Sequence, residues 1–95
     1  EEEEYSRTTL AKASNSLLDV KDILATFTIA RISKTLVAIS ARSSKKINVQ
    51  IIMENMGGGG HFSMAAAQFE NKSVEDVRIL LEKTILDYLE DRSEV

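Results

Sequence analysis

All four glycines of this chain stand in one run, Gly57-Gly58-Gly59-Gly60, and the only histidine, His61, follows directly. A glycine inside a regular element costs roughly 0.5–1 kcal/mol relative to alanine. A chain with no glycine elsewhere should therefore keep four together only where the backbone needs them. Two uses are open. Without Cβ atoms the run can take positive φ and approach a ligand closely, and its successive N–H groups can form a concavity for an anion. Alternatively, it is a flexible connector. The flanks argue against the connector. Residues 47–56 are apolar and helix-like, residues 64–69 are strand-like, and neither side has the serine-rich or charged composition of a linker.

With 95 residues the chain is one domain with a modest core. It has no cysteine, which removes disulfides, thiolate metal sites and cysteine nucleophiles from consideration. No apolar stretch approaches a membrane span and no signal-peptide pattern opens the chain, so a soluble piece is expected. Tryptophan is absent and aromatics make up 5%, which argues against a base-stacking platform for single-stranded nucleic acid. Charge is unevenly spread. Residues 1–30 carry six acids against three bases, residues 31–61 carry Glu54 against Arg31, Lys34, Arg42, Lys45 and Lys46, and the remainder carries eight acids against four bases. The basic third contains the glycine run. An anion bound there would be drawn in locally by a protein that is acidic overall, which suits a small phosphorylated molecule better than a long polyanion.

Along the chain, residues 1–5 are expected to be an acidic, disordered lead-in, and residues 6–95 the folded domain. Ser6 and the spacing of Leu10, Ala13 and Leu17 predict a helix over 8–18. Residues 25–33 and 35–41 read as two strands joined by a short link, hence an antiparallel hairpin. Alternation puts Leu36, Ala38, Ser40 and Arg42 on one side of the second strand. A helix over 47–56 with Ile47 and Ile51 inward, ended by Gly57 as a C′ glycine, leads to a strand over 64–69. The last helix, over 73–90, is capped by Ser73 with Asp76. Its apolar stripe is Val74, Val77, Leu80, Leu81, Ile85, Tyr88 and Leu89. The order α-β-β-α-β-α describes an α/β domain of the α+β type: a small mixed sheet with packed helices.

The chemistry available is that of binding. His61 could donate to a phosphate, contact a base, or serve the fold. The acids fall mostly in the terminal segments, so no metal-ligand cluster can be assembled, and no serine sits in a G-x-S-x-G elbow. The glycine run is not a P-loop, because His61-Phe62 replaces the lysine and hydroxyl residue such a loop requires. No catalytic residue and no metal ligand is assigned.

Ile39-Ser40-Ala41-Arg42-Ser43, the Ile47-Asn48-Val49-Gln50-Ile51-Ile52-Met53-Glu54 segment, the Gly57-Gly58-Gly59-Gly60-His61 run and Ala65-Ala66 through Gln68 together resemble the DHH-associated C-terminal domain of DHH-family phosphoesterases. The resemblance covers residues 5–89 and is narrower for the GdpP-type cyclic di-AMP phosphodiesterases. The Asn48-Val49-Gln50 helix start and the three-residue spacing from His61 to Ala65 favour that branch over the nano-RNases. Met64 departs from it, since the branch has asparagine there. The resemblance implies that this is the substrate-binding portion of a larger manganese-dependent phosphodiesterase anchored in a bacterial membrane, with this domain on the cytoplasmic side. It also implies two Mn²⁺ ions in a preceding DHH domain, no cofactor within this chain, and no hydrolysis by this chain alone. The implied ligand is cyclic di-AMP or its linear product pApA. Arg42 would grip a phosphate, Ser40 and Ser43 would add hydroxyl donors, Gly58, Gly59 and Gly60 would give backbone N–H groups and close approach, and His61 would contact phosphate or adenine from the rim. The competing expectations are a nucleic-acid-binding accessory domain of a DHH exonuclease or nano-RNase, and a homodimerisation module with a glycine hinge.

Overall fold

The computed structural model describes residues 24–93. The expected lead-in at 1–5 and helix at 8–18 lie outside them. Six elements follow in order: β1 (Ala25–Arg31), β2 (Leu36–Ser43), α1 (Val49–Asn55), β3 (Gly59–His61), β4 (Met64–Glu70) and α2 (Val74–Ser93). The α+β character holds, with two corrections. The four strands, in the spatial order β1-β2-β4-β3, pair antiparallel throughout rather than as a mixed sheet. The second half of the glycine run is itself a strand, so the described order is β-β-α-β-β-α.

Alternation along the strands divides the sheet into two faces. Val37, Ile39 and Ala41 of β2 and Ala65, Ala67 and Phe69 of β4 form the core with Val49, Ile52 and Met53 of α1 and Val77 and Leu81 of α2. Ile39 and Ile52 are 1% exposed and Met53 is fully buried, each side chain contributing roughly 1.5–3 kcal/mol by leaving water. Ile51, expected inward, is 43% exposed, because helical spacing from Val49 and Met53 turns it away from the sheet. In α2 the inward stripe is Val77, Leu81 and Thr84, with Val74, Ile85 and Tyr88 half-buried; Leu80 and Leu89 fall outside it and are exposed. The two helices thus cover one face. The other carries Leu36, Ala38, Ser40 and Arg42 of β2, as alternation required.

The caps are written in the sequence. The Asn48 Oδ1 accepts from the N–H groups of Gln50 at 3.0 Å and Ile51 at 3.3 Å, starting α1. Its own N–H donates to the Tyr88 hydroxyl at 2.9 Å, fastening this helix start to α2. Asn48→Ala should therefore cost about 1 kcal/mol, read as a lower midpoint in urea with an unchanged slope. Gly57, at φ +90°, ends α1 in the left-handed region that a side chain resists. There the Gly57 N–H reaches Glu54 O at 3.0 Å and the Gly58 N–H reaches Met53 O at 2.7 Å, the two bonds of a Schellman cap. Ser73 Oγ accepts from the Asp76 N–H at 3.0 Å at the start of α2. Arg31, one of the five bases of the middle third, holds the β1–β2 turn by donating to the carbonyls of Ser33, Lys34 and Lys72.

Candidate functional site

Register decides what meets on the face away from the helices. Thr26, Arg42, Met64 and His61 stand opposite one another across the four strands, and so form one row. The next row on the same face is Thr28, Ser40, Ala66 and Gly59, and the one after it Ala30, Ala38 and Gln68. Directly opposed residues project to the same side. Large and polar side chains therefore surround a floor of Ala38, Ser40, Ala66 and Gly59. The result is a cavity of about 330 Å³, lined by that floor, by Arg42, His61, Met64 and Gln68, and by Gly60. A second hollow, about 430 Å³, lies alongside it against Gly57 and Gly58 and shares Ala66, Ala67 and Gln68 with it.

Arg42 lies near the end of β2, which runs two residues further than expected, so it is set in the sheet rather than in the turn. Its Nη1 donates to Ala41 O at 2.8 Å. Its Nε is buried with no hydrogen-bond partner. Burial also pushes the guanidinium below its ordinary pKa, yet an arginine stays cationic at any physiological pH. Among the described residues Arg42 forms no ion pair; the salt bridges there run Arg78–Glu75, Arg78–Glu82 and Lys83–Asp87, all on the exposed side of α2. Of the five bases of the middle third, it alone lines the cavity. A cation with no counter-ion among the described residues and with an orphaned Nε donor, beside a hollow in an acidic protein, is arranged to receive an anion.

The glycines divide by task. A Cβ on Gly58 would lie 2.1 Å from Ala66 O and 2.7 Å from Ala67 Cα, and one on Gly60 would lie 2.5 Å from Ala65 Cα and Met64 O. These two let β3 close against β4. Gly59 is different: a Cβ there meets nothing within 4 Å, and the position opens onto the cavity floor beside Ala66. The turn joining β3 to β4 is tied down. Phe62 O accepts from the Val49 N–H at 2.9 Å, and Ser63 O accepts from the Ser43 N–H at 3.0 Å.

Five of the seven residues singled out from sequence therefore come together: Ser40, Arg42, Gly59, Gly60 and His61 line one cavity. Two do not. Ser43 projects to the other face, where it is buried and its Oγ donates to Phe62 O at 3.3 Å, steadying the turn. Gly58 borders the second hollow, and its N–H is already given to Met53. Among the described residues no group of three or more His, Cys, Asp or Glu side chains could hold a metal ion.

The DHHA1 domain family matches residues 1–91. This chain belongs to that family. It is 42% identical over 90 residues to the cyclic-di-AMP phosphodiesterase GdpP of Bacillus subtilis, covering 95% of this chain and 14% of that protein. It is 41% identical over 76 residues to the cyclic-di-AMP phosphodiesterase PdeA of Listeria monocytogenes, covering 80% of this chain and 12% of that protein. A membrane protein–large ribosomal subunit bL9 fusion protein of Aster yellows witches'-broom phytoplasma is 46% identical over 72 residues, 76% of this chain and 8% of that protein. This DHHA1 domain thus spans a small fraction of the length of the curated relatives it matches.

Among the cavity-lining residues that the sequence does not assign to the site are three of β4 that face it: Met64, Ala66 and Gln68. Alternation from Arg42 cannot reach them without the β2–β4 register. The signal that could have found them is the His61-Phe62-Ser63-Met64 spacing, two residues between two strand ends, which is hairpin spacing.

Proposed function

We propose that this DHHA1 domain is the substrate-positioning part of a cyclic-di-AMP phosphodiesterase, holding a phosphate of cyclic di-AMP or of pApA at Arg42. The observation that carries this is the Arg42 guanidinium, in no ion pair among the described residues and with its Nε orphaned, at the edge of a cavity whose lining includes alanines and glycines. The names of GdpP and PdeA supply the nucleotide. A guanidinium presents a fork of donors that matches two phosphate oxygens, and a floor without bulk admits the sugar and base beside it. His61, exposed at the far end of the same row, meets the ligand from the rim. The chain's contribution is orientation: it fixes the phosphodiester relative to groups on another domain. In a DHH domain of the same parent, two manganese ions would generate the attacking hydroxide. Membrane anchoring of that parent, with this domain in the cytoplasm, belongs to the same proposal; the phytoplasma relative is itself named a membrane protein.

Plugging the cavity tests it. Gly59→Leu adds a side chain where the fold has open space, so melting should stay within the roughly 0.5 kcal/mol expected of a surface change. Binding of pApA, followed by titration calorimetry, should weaken by at least about tenfold through overlap with the floor. Undiminished pApA binding by Gly59→Leu would place the ligand elsewhere. Tighter, steeply salt-dependent binding of single-stranded RNA would favour the nucleic-acid reading instead.

A further inference from the structure

We infer that Met64 is the specificity-determining residue of this site, the side chain that makes it a receptor for a nucleobase rather than for phosphate alone. This rests on the phosphate at Arg42 proposed above. Met64 sits between Arg42 and His61 in the same cross-strand row, directly opposite both, on the cavity face. Two of the three methionines are core fillers, Met53 at 0% and Met56 at 8% exposure, whereas Met64 is 54% exposed. Among the described residues it is the exposed large apolar side chain of the cavity lining; Ile39, which also borders it, is 1% exposed. No aromatic ring of the described residues lines the cavity.

An exposed thioether has a specific use in such a place. Sulfur makes favourable contacts with aromatic rings, and methionine's unbranched, flexible chain follows the outline of whatever lies against it. The geometry provides a seat. Along β4 the next side chain on this face is the Ala66 methyl and the one after it is Gln68. At about 3.4 Å per residue, Met64 and Gln68 stand roughly 13 Å apart with nothing larger than a methyl between them. A purine can lie flat there, with Met64 against it at one end. The Gln68 amide, which can both donate and accept, faces it at the other. Directly opposed strand residues are about 5 Å apart at Cα, so a nucleotide whose phosphate meets Arg42 has its base within reach of Met64. Met64 is in this sense a contact residue for the base, and Arg42 for the phosphate.

AMP and ribose 5-phosphate differ only in the base, and titrating the full-length protein with each isolates this contact. Wild type should bind AMP roughly tenfold or more tightly than ribose 5-phosphate, as expected for one stacked base. Met64→Gln, similar in length but polar, should bring the two affinities close together by weakening AMP alone; Met64→Leu should keep most of the preference. A preference that survives Met64→Gln, or a wild type blind to the base, overturns the assignment. Arg42→Ala separates the two readings, since it should weaken both ligands in parallel. Ribose 5-phosphate binding that ignores Arg42 would overturn the phosphate reading, and with it this one; failure of wild type to bind either ligand does the same.

Discussion

On the proposed function, replacing Arg42 by alanine in the full-length parent protein should lower kcat/KM for cyclic di-AMP by roughly 10- to 150-fold, the equivalent of losing 1.5–3 kcal/mol of charge-assisted hydrogen bonding. The fold should not register the change. Arg42 is half-buried, and among the described residues its side chain is in no ion pair and donates to the neighbouring Ala41 carbonyl. Removing it also removes a buried donor that has no partner. Thermal melting should therefore be equal to wild type or slightly higher while turnover collapses. Arg42→Lys is informative beside it, because lysine restores the charge without the planar fork, and recovery should be incomplete. If the loss appears in KM at constant kcat, Arg42 binds ground state and transition state equally; if it appears in kcat, the contact strengthens as charge develops on the phosphoryl oxygens. Wild-type kinetics in Arg42→Ala would remove the residue from the site.

The second large effect is on stability. Gly58→Ala should cost about 3 kcal/mol, the upper part of the range for overpacking, because the added carbon would lie 2.1 Å from a backbone oxygen that no rotamer change can move. At about 4–8 °C per kcal/mol for a domain of this size, the melting temperature falls by roughly 12–24 °C. Gly59→Ala, one residue away, meets open space and should melt like wild type. This neighbouring pair is the sharpest check on the division of labour within the run. Equal melting of the two variants would mean that β3 does not close on β4 as described.

Much of this architecture could be read from the chain before any coordinates. The Ser73 cap, the Gly57 terminus of α1, and the placing of Ser40 and Arg42 on one side of β2 all rest on local rules, because each depends on neighbours within four residues; the Asn48 cap does not appear among the expectations, which start that helix at residue 47. Of the five bases of the middle third only Arg42 reaches the cavity; Arg31 holds a turn. What was illegible depends on register. Glycine has poor strand propensity, so nothing in Gly59-Gly60-His61 announces a strand. Its pairing with β4 is imposed by tertiary contact. Met64 departs from the pattern of the family it resembles, yet the β2–β4 pairing puts it opposite Arg42. Ser43 failed for the complementary reason: one step along a strand from Arg42, it must face the other way. The alanine triplet resolved both ways at once, Ala65 and Ala67 lying under the helices and Ala66 in the cavity floor.

The stitching of the β3–β4 turn to the end of β2 and the start of α1 has a thermodynamic consequence. With Phe62 and Ser63 carbonyls already engaged by Val49 and Ser43, the wall carrying His61 arrives in place when the chain folds. The entropy of ordering a glycine-rich segment is then incurred once, at folding, and is absent from every later encounter with a ligand. A cavity prepared in this way should capture the proposed nucleotide in a single kinetic phase, without a slow rearrangement after contact.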